Sequence, residues 1–358
     1  KWQNAIMMPT NKNVFIQGRY VPTKHENVFV DFFKTLIKTF LLIRTVKNGG
    51  ITMKEKWQTF VRDIRKQAGL QVMVIPGIIF MIIFSYMPIY GLTIAFKNYT
   101  VIDTLSSAKW VGMENFKIAL KDKYFWQSVG NTLGISLLKL AIGFTLPIIL
   151  SVMIYEVKDG PFKRIVQTIS YLPHFLSWIV LGGMMISWMA TTGMFSQIFM
   201  ALGIWQEPKN ILLDADKYWW IAVLSDVWKE AGWGTILYLA TMAGIDTTYY
   251  EAARIDGASR LRQIWSITLP LMKTIICLNF ILTVSGLLRS NLDQTLVLMN
   301  TQNRVKAEVI DSYVYRMGIA QGDFSYATAV GLGVSIVSVI LLLIANYFTS
   351  KVNEESVL

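Results

Sequence analysis

Six stretches, 71–96, 129–155, 165–190, 219–243, 268–289 and 326–349, are each mostly apolar over about 20 residues or more, long enough to cross a bilayer. Hydrocarbon offers no water to backbone N–H and C=O groups, so only helices and closed barrels span it. The windows lack the period-two alternation of a lipid-facing strand. The expectation is an all-α integral membrane protein with six transmembrane helices within 67–350. Only 16% of the residues are charged and 53% are hydrophobic, a balance that excludes an ordinary soluble domain.

Charge placement predicts the orientation. Thirteen Lys and Arg precede the first window, three lie between Glu156 and Arg164, and three more are Arg254, Arg260 and Arg262. The stretch 191–218 holds only Lys209 and Lys217. By the positive-inside rule both termini, including the tail 351–358, and the 246–270 loop face the cytoplasm. The five Lys of 97–128 weaken the contrast, while an even number of spans agrees with it. The net charge of +11 reads as attraction to an anionic leaflet, because no nucleic-acid motif accompanies it.

Residues 1–66 form a basic segment without the apolar core of a signal peptide. From Val28 to Ile43, Asp31, Lys34, Thr35, Lys38 and Thr39 share one helical stripe, which suits an interfacial helix. A competing reading rests on Gly49-Gly50 ahead of Met53, since two Gly codons can spell a ribosome-binding site. Residues 1–52 would then be translated leader.

Cys277 is the one cysteine, and His25 and His174 are far apart, so no disulfide framework or Cys/His metal cluster is expected. No phosphate-binding Gly-x-x-x-x-Gly-Lys-Ser/Thr loop occurs, which assigns any ATP chemistry to another chain. No nucleophile–base pair or metal-ligand spacing supports a catalytic site.

Pro76, Gly77, Pro88 and Gly91 are expected to kink or loosen the first span. Gly182-Gly183 and Gly331-x-Gly333 suit close helix approach. Lys139, Asp226, Lys229 and Glu230 fall inside spans, where each charge costs about 2.5–3.5 kcal/mol at the bilayer centre. Counted inward from about 129 and about 219, the outer ends of the second and fourth spans, at about 1.5 Å per residue, Lys139 and Asp226–Glu230 reach similar depths. Lys139 is expected to pair with Asp226 or Glu230, or these groups face a wet cavity with Asn279. The pair either holds two helices in register or lines a substrate path. Trp205, Tyr218, Trp219 and Trp220 read as interfacial anchors. Trp188, Trp228 and Trp233 lie deeper and suit either helix packing or stacking on a sugar ring.

Between the fourth and fifth windows, Thr248-x-x-Glu251 has the capping-box pattern, Ala252 and Ala253 favour helix, and Asp256-Gly257 breaks it. A second short helix, capped by Ser259, would carry Leu261, Ile264 and Trp265 on one face before Leu269-Pro270. A helix-turn-helix on the membrane surface is the physical product, and an ordinary connector is its plainer interpretation.

Glu251-Ala252-Ala253, Gly257 and Ile267-x-Leu269-Pro270 resemble the coupling motif of permease subunits of binding-protein-dependent ABC importers. Gln167–Trp178, Trp228–Gly234 and Gln321–Gly331 are similar to the carbohydrate-uptake branch, in particular polysaccharide or oligosaccharide permeases that work with a binding lipoprotein. The resemblance covers about 70–350 and implies the type I importer permease fold. It implies that Glu251, Ala252, Ala253, Arg254, Asp256, Gly257, Leu269 and Pro270 belong to a coupling loop seated on an ATPase, with Glu251 capping its helix. Thr247 stands where that branch often has Pro. The implied partners are an ATPase dimer carrying ATP and Mg, a second homologous permease, and an extracytoplasmic sugar-binding lipoprotein. The lipoprotein would dock on 97–128, 191–218 and 290–325. This chain itself would bind no cofactor or metal. A secondary transporter or channel using Lys139, Asp226 and Glu230 is the alternative, although the two halves show no convincing repeat.

Overall fold

The computed structural model describes residues 68–353, so the interfacial helix and leader expected before residue 67 lie outside the described residues. Contacts divide the chain into residues 1–87 and 88–358. In the first unit, α1 (Ala68–Met81) contains Pro76 and passes into a π-helical turn at Ile82–Tyr86. Met73, Phe80 and Phe84 are exposed, as suits a helix solvated by lipid.

The second unit begins at Pro88, inside the 3-10 helix Met87–Phe96, where that proline removes a backbone donor. A short antiparallel hairpin pairs β1 (Lys97–Asn98) with β2 (Lys109–Trp110). Buried Asn115 of α2 (Glu114–Lys121) clamps it by donating to the carbonyls of Ala95 and Lys97 at 2.9 and 3.0 Å. Next, α3 (Lys123–Gly143) and α4 (Thr145–Glu156) form one 34-residue apolar run.

The third window does not form one helix over 165–190. It divides into α5 (Pro161–Tyr171), a 3-10 turn at Leu172–Phe175, and α6 (Trp178–Met189). Pro173 cannot donate to a continuing helix, and Ser177 restarts it by accepting the Val180 N–H. The apolar run here is Trp178–Ala201, which includes α7 (Met194–Ala201). The fifth window is also broken. Arg260–Leu271 and Lys273–Ser285 meet at 62°.

Four helices are long and apolar enough to span a membrane, or five with the bent pair, so the expected six are not all reached among the described residues. The shortfall is α8 (Tyr218–Ala243), because every 18-residue stretch of it holds Asp226, Lys229 and Glu230. The remaining helices are α9 (Thr247–Ile255), α10 (Arg260–Gln263), α11 (Lys273–Ser285), α12 (Leu292–Leu298), α13 (Arg304–Ala307), α14 (Ile310–Tyr315) and α15 (Phe324–Asn353).

The main core surrounds α8, whose Val223, Val227 and Ala231 pack with Ile135, Leu181, Met185 and Leu298. At Gly182 the Val297 side chain occupies the space a Cβ would need, as expected for close approach. Gly183, Gly331 and Gly333 have no such neighbour in this chain among the described residues. Trp219 is no simple interfacial anchor. Its ring fills the space a Cβ at Gly134 would need, and its Nε1 donates to the Lys306 carbonyl at 3.0 Å.

The stretch 290–325 is not an open loop but contains α12, α13 and α14. Its Leu298, Ala307, Val309, Ile310 and Tyr313 are buried. Buried Asn303 donates to the Leu212 carbonyl at 2.9 Å, and Tyr313 joins Tyr326 in donating to Asp122. Burial raises the Asp122 pKa, but those hydroxyls and the Tyr124 N–H outweigh it and hold the carboxyl below the usual carboxylate range.

Candidate functional site

The helix-turn-helix lies between α8 and α11. Asp246, in extended conformation, caps α9 by accepting the Thr248 N–H at 2.9 Å, and that bond holds its carboxyl below its ordinary pKa. The Thr248/Glu251 capping box is thus replaced by a cap two residues earlier. Asp246-Thr247-Thr248 offers overlapping start signals, and Asp ranks among the best N-caps. Thr247 therefore takes the first helical position, where Pro would also fit. Glu251 is released from capping and is exposed.

Gly257 ends α9 at φ +75°, a left-handed conformation that Gly adopts without a Cβ clash. The Ala258 N–H closes the turn on the Ala253 carbonyl at 2.8 Å. Ser259 caps α10 by accepting from Arg262, as its sequence predicts. Leu261 and Trp265 are exposed, and α10 stops at Gln263 where a π-helical turn, Ile264–Thr268, takes over. The hairpin is pinned to the next helix by Tyr250, whose buried hydroxyl lies 3.0 Å from Thr268 Oγ1. Leu269 and Pro270 begin the turn that leads into the 62° bend.

The outcome is a knob with an exposed apolar tip, Ile255 being 87% exposed. Beside it is a polar cavity of about 930 Å³ lined by Glu251, Arg254 and Arg260 together with Lys158 and Asp159 from the α4–α5 connection and Lys163 of α5. Ala252 is exposed and Ala253 half-buried, so the small side chains leave the surface of α9 low.

The intramembrane polar residues separate into three places. Lys139 Nζ lies 3.2 Å from Asp226 Oδ1 and 3.2 Å from Gln294 Oε1. Gln294 in turn donates to the Ala222 carbonyl and Ser225 Oγ, both at 2.8 Å. Lys139, Asp226 and Glu230 line a cleft of about 350 Å³ with Trp233, Asn279 and Arg289. Asn279 donates to the Tyr238 hydroxyl at 2.7 Å.

Lys229 leaves this cleft. Its buried ammonium donates to the His174 carbonyl and to Glu230 Oε1, both at 2.8 Å. Glu230 Oε2 lies 2.6 Å from His174 Nδ1, and the His174 ring stacks on Trp233 at 4.3 Å and 3°. Glu230 thus pairs with His174 and Lys229, and Lys139 with Asp226. Trp188 and Trp228 belong to a separate apolar groove between α6, α7 and α8. Trp228 leaves α8 on a different side from Asp226 and Glu230.

Residues 143–354 match the family described as "Binding-protein-dependent transport system inner membrane component". The chain belongs to this family. The match includes both the surface knob and the polar residues of α8. The chain is 37% identical over 308 residues to the polygalacturonan/rhamnogalacturonan transport system permease protein YteP of Bacillus subtilis (strain 168), covering 86% of this chain and 95% of YteP. It is 39% identical over 298 residues to protein LplB of the same organism, covering 83% and 93%. A bacterial ABC transporter involved in the import of the acidic polysaccharide alginate includes a chain that superposes with a TM-score of 0.75 at 31% identity, over 82% of this chain and 99% of that one.

A multi-pass permease subunit with the type I importer fold follows, and the family does not favour the ion-gradient alternative. Within such a permease, His174, Gln294, Trp233 and Arg289 are cleft or network residues beyond the expected charged set. His174 was legible as a titratable residue next to Pro173. Gln294 carried no signal, because its role depends on α12 folding back against α8.

Proposed function

We propose that this chain is the membrane subunit of an ATP-driven importer that moves oligosaccharide or polysaccharide fragments inward by alternating access. It sits in a bacterial cytoplasmic membrane with both termini and the 246–270 knob on the inner side. Its relatives and structural neighbours include permeases named for polygalacturonan, rhamnogalacturonan and alginate, which supports a carbohydrate substrate. ATP and Mg are bound by a separate ATPase dimer, and this chain neither hydrolyses ATP nor holds a cofactor. A second permease completes the path, and an extracytoplasmic binding lipoprotein delivers the sugar.

The observation that carries this reading is the knob itself. Exposed Ile255 and Leu261 on the two short helices and Trp265 on the π-helical turn that follows would cost free energy in water and suit a partner's socket. Ala252 and Ala253 allow close seating, Gly257 sets the angle between the helices, and Arg254 with Glu251 and Asp256 forms a charged rim. Tyr250–Thr268 makes the knob move with the broken fifth helix, so closure of the ATPase dimer is transmitted as a rigid-body displacement. Lys139, Asp226, Glu230 and Asn279 line the route on the α8 side, with Trp233 as the aromatic surface.

The deciding experiment is co-expression with the cognate ATPase and second permease. Gly257→Asp and Ile255→Glu should each abolish co-purification of the ATPase and substrate-stimulated ATP hydrolysis while the permease chain stays folded in the membrane. Sugar accumulation in vesicles lacking the ATPase would overturn the proposal.

A further inference from the structure

The apolar groove that holds Trp188 and Trp228 takes no part in the polar cleft or the knob. It encloses about 720 Å³, and four indoles, Trp188, Trp205, Trp220 and Trp228, line it with Phe195 and Leu224. Trp220 and Trp228 are about half exposed. The polar side chains among its lining residues are Lys217 and Ser225. Ser225 is already committed, donating to the Ile221 carbonyl at 2.6 Å and accepting from Gln294 at 2.8 Å. A sugar would meet side-chain donors here, Lys217 and the indole N–H groups, but no uncommitted side-chain acceptor for its own hydroxyl protons, so carbohydrate does not fit.

Length identifies a better occupant. From Lys217 at the mouth to Trp228 at the inner end is eleven residues of α8, roughly 16 Å at about 1.5 Å per residue, or half of a hydrocarbon core about 30 Å thick. A partner helix would need a track across both leaflets, whereas an acyl chain of one leaflet needs only this depth. The groove is also polarised. Lys217 stands at its mouth, shared with Asp214 at 3.0 Å with both side chains about half exposed. Lys209 is exposed two residues before the lining residue Ile211, and its ammonium makes no hydrogen bond or ion pair among the described residues. These are the only Lys or Arg residues of 191–218. None of the four groove indoles donates a hydrogen bond within the described residues, which leaves N–H groups for ester or phosphate oxygens.

We infer that this groove binds one acyl chain of an anionic glycerophospholipid, its phosphate held at the 191–218 end by Lys217 and Lys209. The tail lies along Leu224 and ends beside Trp228. The cations select a phosphate-bearing lipid over a neutral diacylglyceryl anchor.

The test uses the purified complete importer in nanodiscs containing phosphatidylglycerol with a photoactivatable group midway along one acyl chain, and a matched phosphatidylcholine probe. Labelled peptides should concentrate in 185–228 of the unmodified complex. Leu224→Trp and, independently, Met194→Trp fill the groove and should remove that concentration while ATPase co-purification persists. Lys209→Gln and Lys217→Gln should each lower the phosphatidylglycerol-to-phosphatidylcholine labelling ratio about fivefold, as expected for one lysine near a charged lipid surface. Labelling spread evenly over all lipid-facing helices, or unchanged in both filled variants, would overturn the site. A labelling ratio unaffected by either lysine would overturn the anionic class. Displacement of the probe by an acylated but not an unacylated binding protein would assign the groove to a protein anchor instead, as would crosslinking of Leu224→Cys to the second permease assign it to that chain.

Discussion

Replacing Lys139 with Met should destabilise the permease far more than replacing Lys139 and Asp226 together. Both side chains are about one-fifth exposed, 21% and 22%, and their charges lie 3.2 Å apart. At an effective dielectric of about 20 the attraction is about 5 kcal/mol, offset by several kcal/mol of desolvation per ion. The isolated pair is therefore near balance, and loss of one member leaves the other uncompensated at about 3–5 kcal/mol. Asp226 would then face Glu230 one turn away on α8 without its ion-pair partner. At about 2–4 °C per kcal/mol for a chain of this size, Lys139→Met should melt roughly 6–20 °C lower. Lys139→Met/Asp226→Leu replaces the pair with apolar side chains and should recover to within a few degrees of the parent. The assay is thermal unfolding of the purified importer, read alongside sugar uptake. A double variant that melts as low as the single one would refute the pairing as the controlling interaction. A stable double variant that no longer transports would place the charges on the substrate route, and a stable active one would leave them the role of fixing helix register.

Gly232→Ala should lower the melting temperature and the yield, because a Cβ there falls on the Ser170 carbonyl and must push α5 away from α8; overpacking of this kind costs about 1–3 kcal/mol in thermal unfolding. Asp246→Ala removes the cap of α9 at a cost of about 1 kcal/mol and should weaken ATPase binding in pull-downs, whereas Thr248→Ala, which the capping-box expectation would rank first, should matter less. Asp122 has its pKa lowered in the folded chain, so its contribution is complete above the ordinary value of 3.8 and is lost as pH falls through the lowered value. Asp122→Asn should accordingly lower the neutral plateau of a stability-versus-pH curve and flatten its acid limb, so that the variant and the parent converge at low pH. Trp233→Ala should raise the KM for sugar uptake and leave basal ATP hydrolysis unchanged, which steady-state transport assays resolve.

What the sequence made legible was local chemistry. Gly257 had to end a helix because Asp-Gly supplies a turn position free of a Cβ clash, Ser259 had to begin one, and Lys139 needed an acidic partner at matching depth. Less legible was anything settled by competition or by distant packing. Asp246 and Thr248 both signal a helix start, and only the conformation of the chain leaving α8 decides between them. A twenty-residue average hides Pro173, although that proline alone divides the third window. The 290–325 stretch reads as a loop because its buried residues are dispersed. Its Gln294 and Asn303 are polar in sequence, yet distant groups help satisfy them: the Ala222 carbonyl and Ser225 hydroxyl of α8 for Gln294, and the Leu212 carbonyl for Asn303. The same competition explains why α8 fails a simple apolarity test. A helix that carries Asp226, Lys229 and Glu230 across a membrane must obtain counter-charges and carbonyls from α3, the His174 turn and α12. Those three elements are therefore folded against it before the permease can conduct anything, and a change in any one of them should register at the cleft.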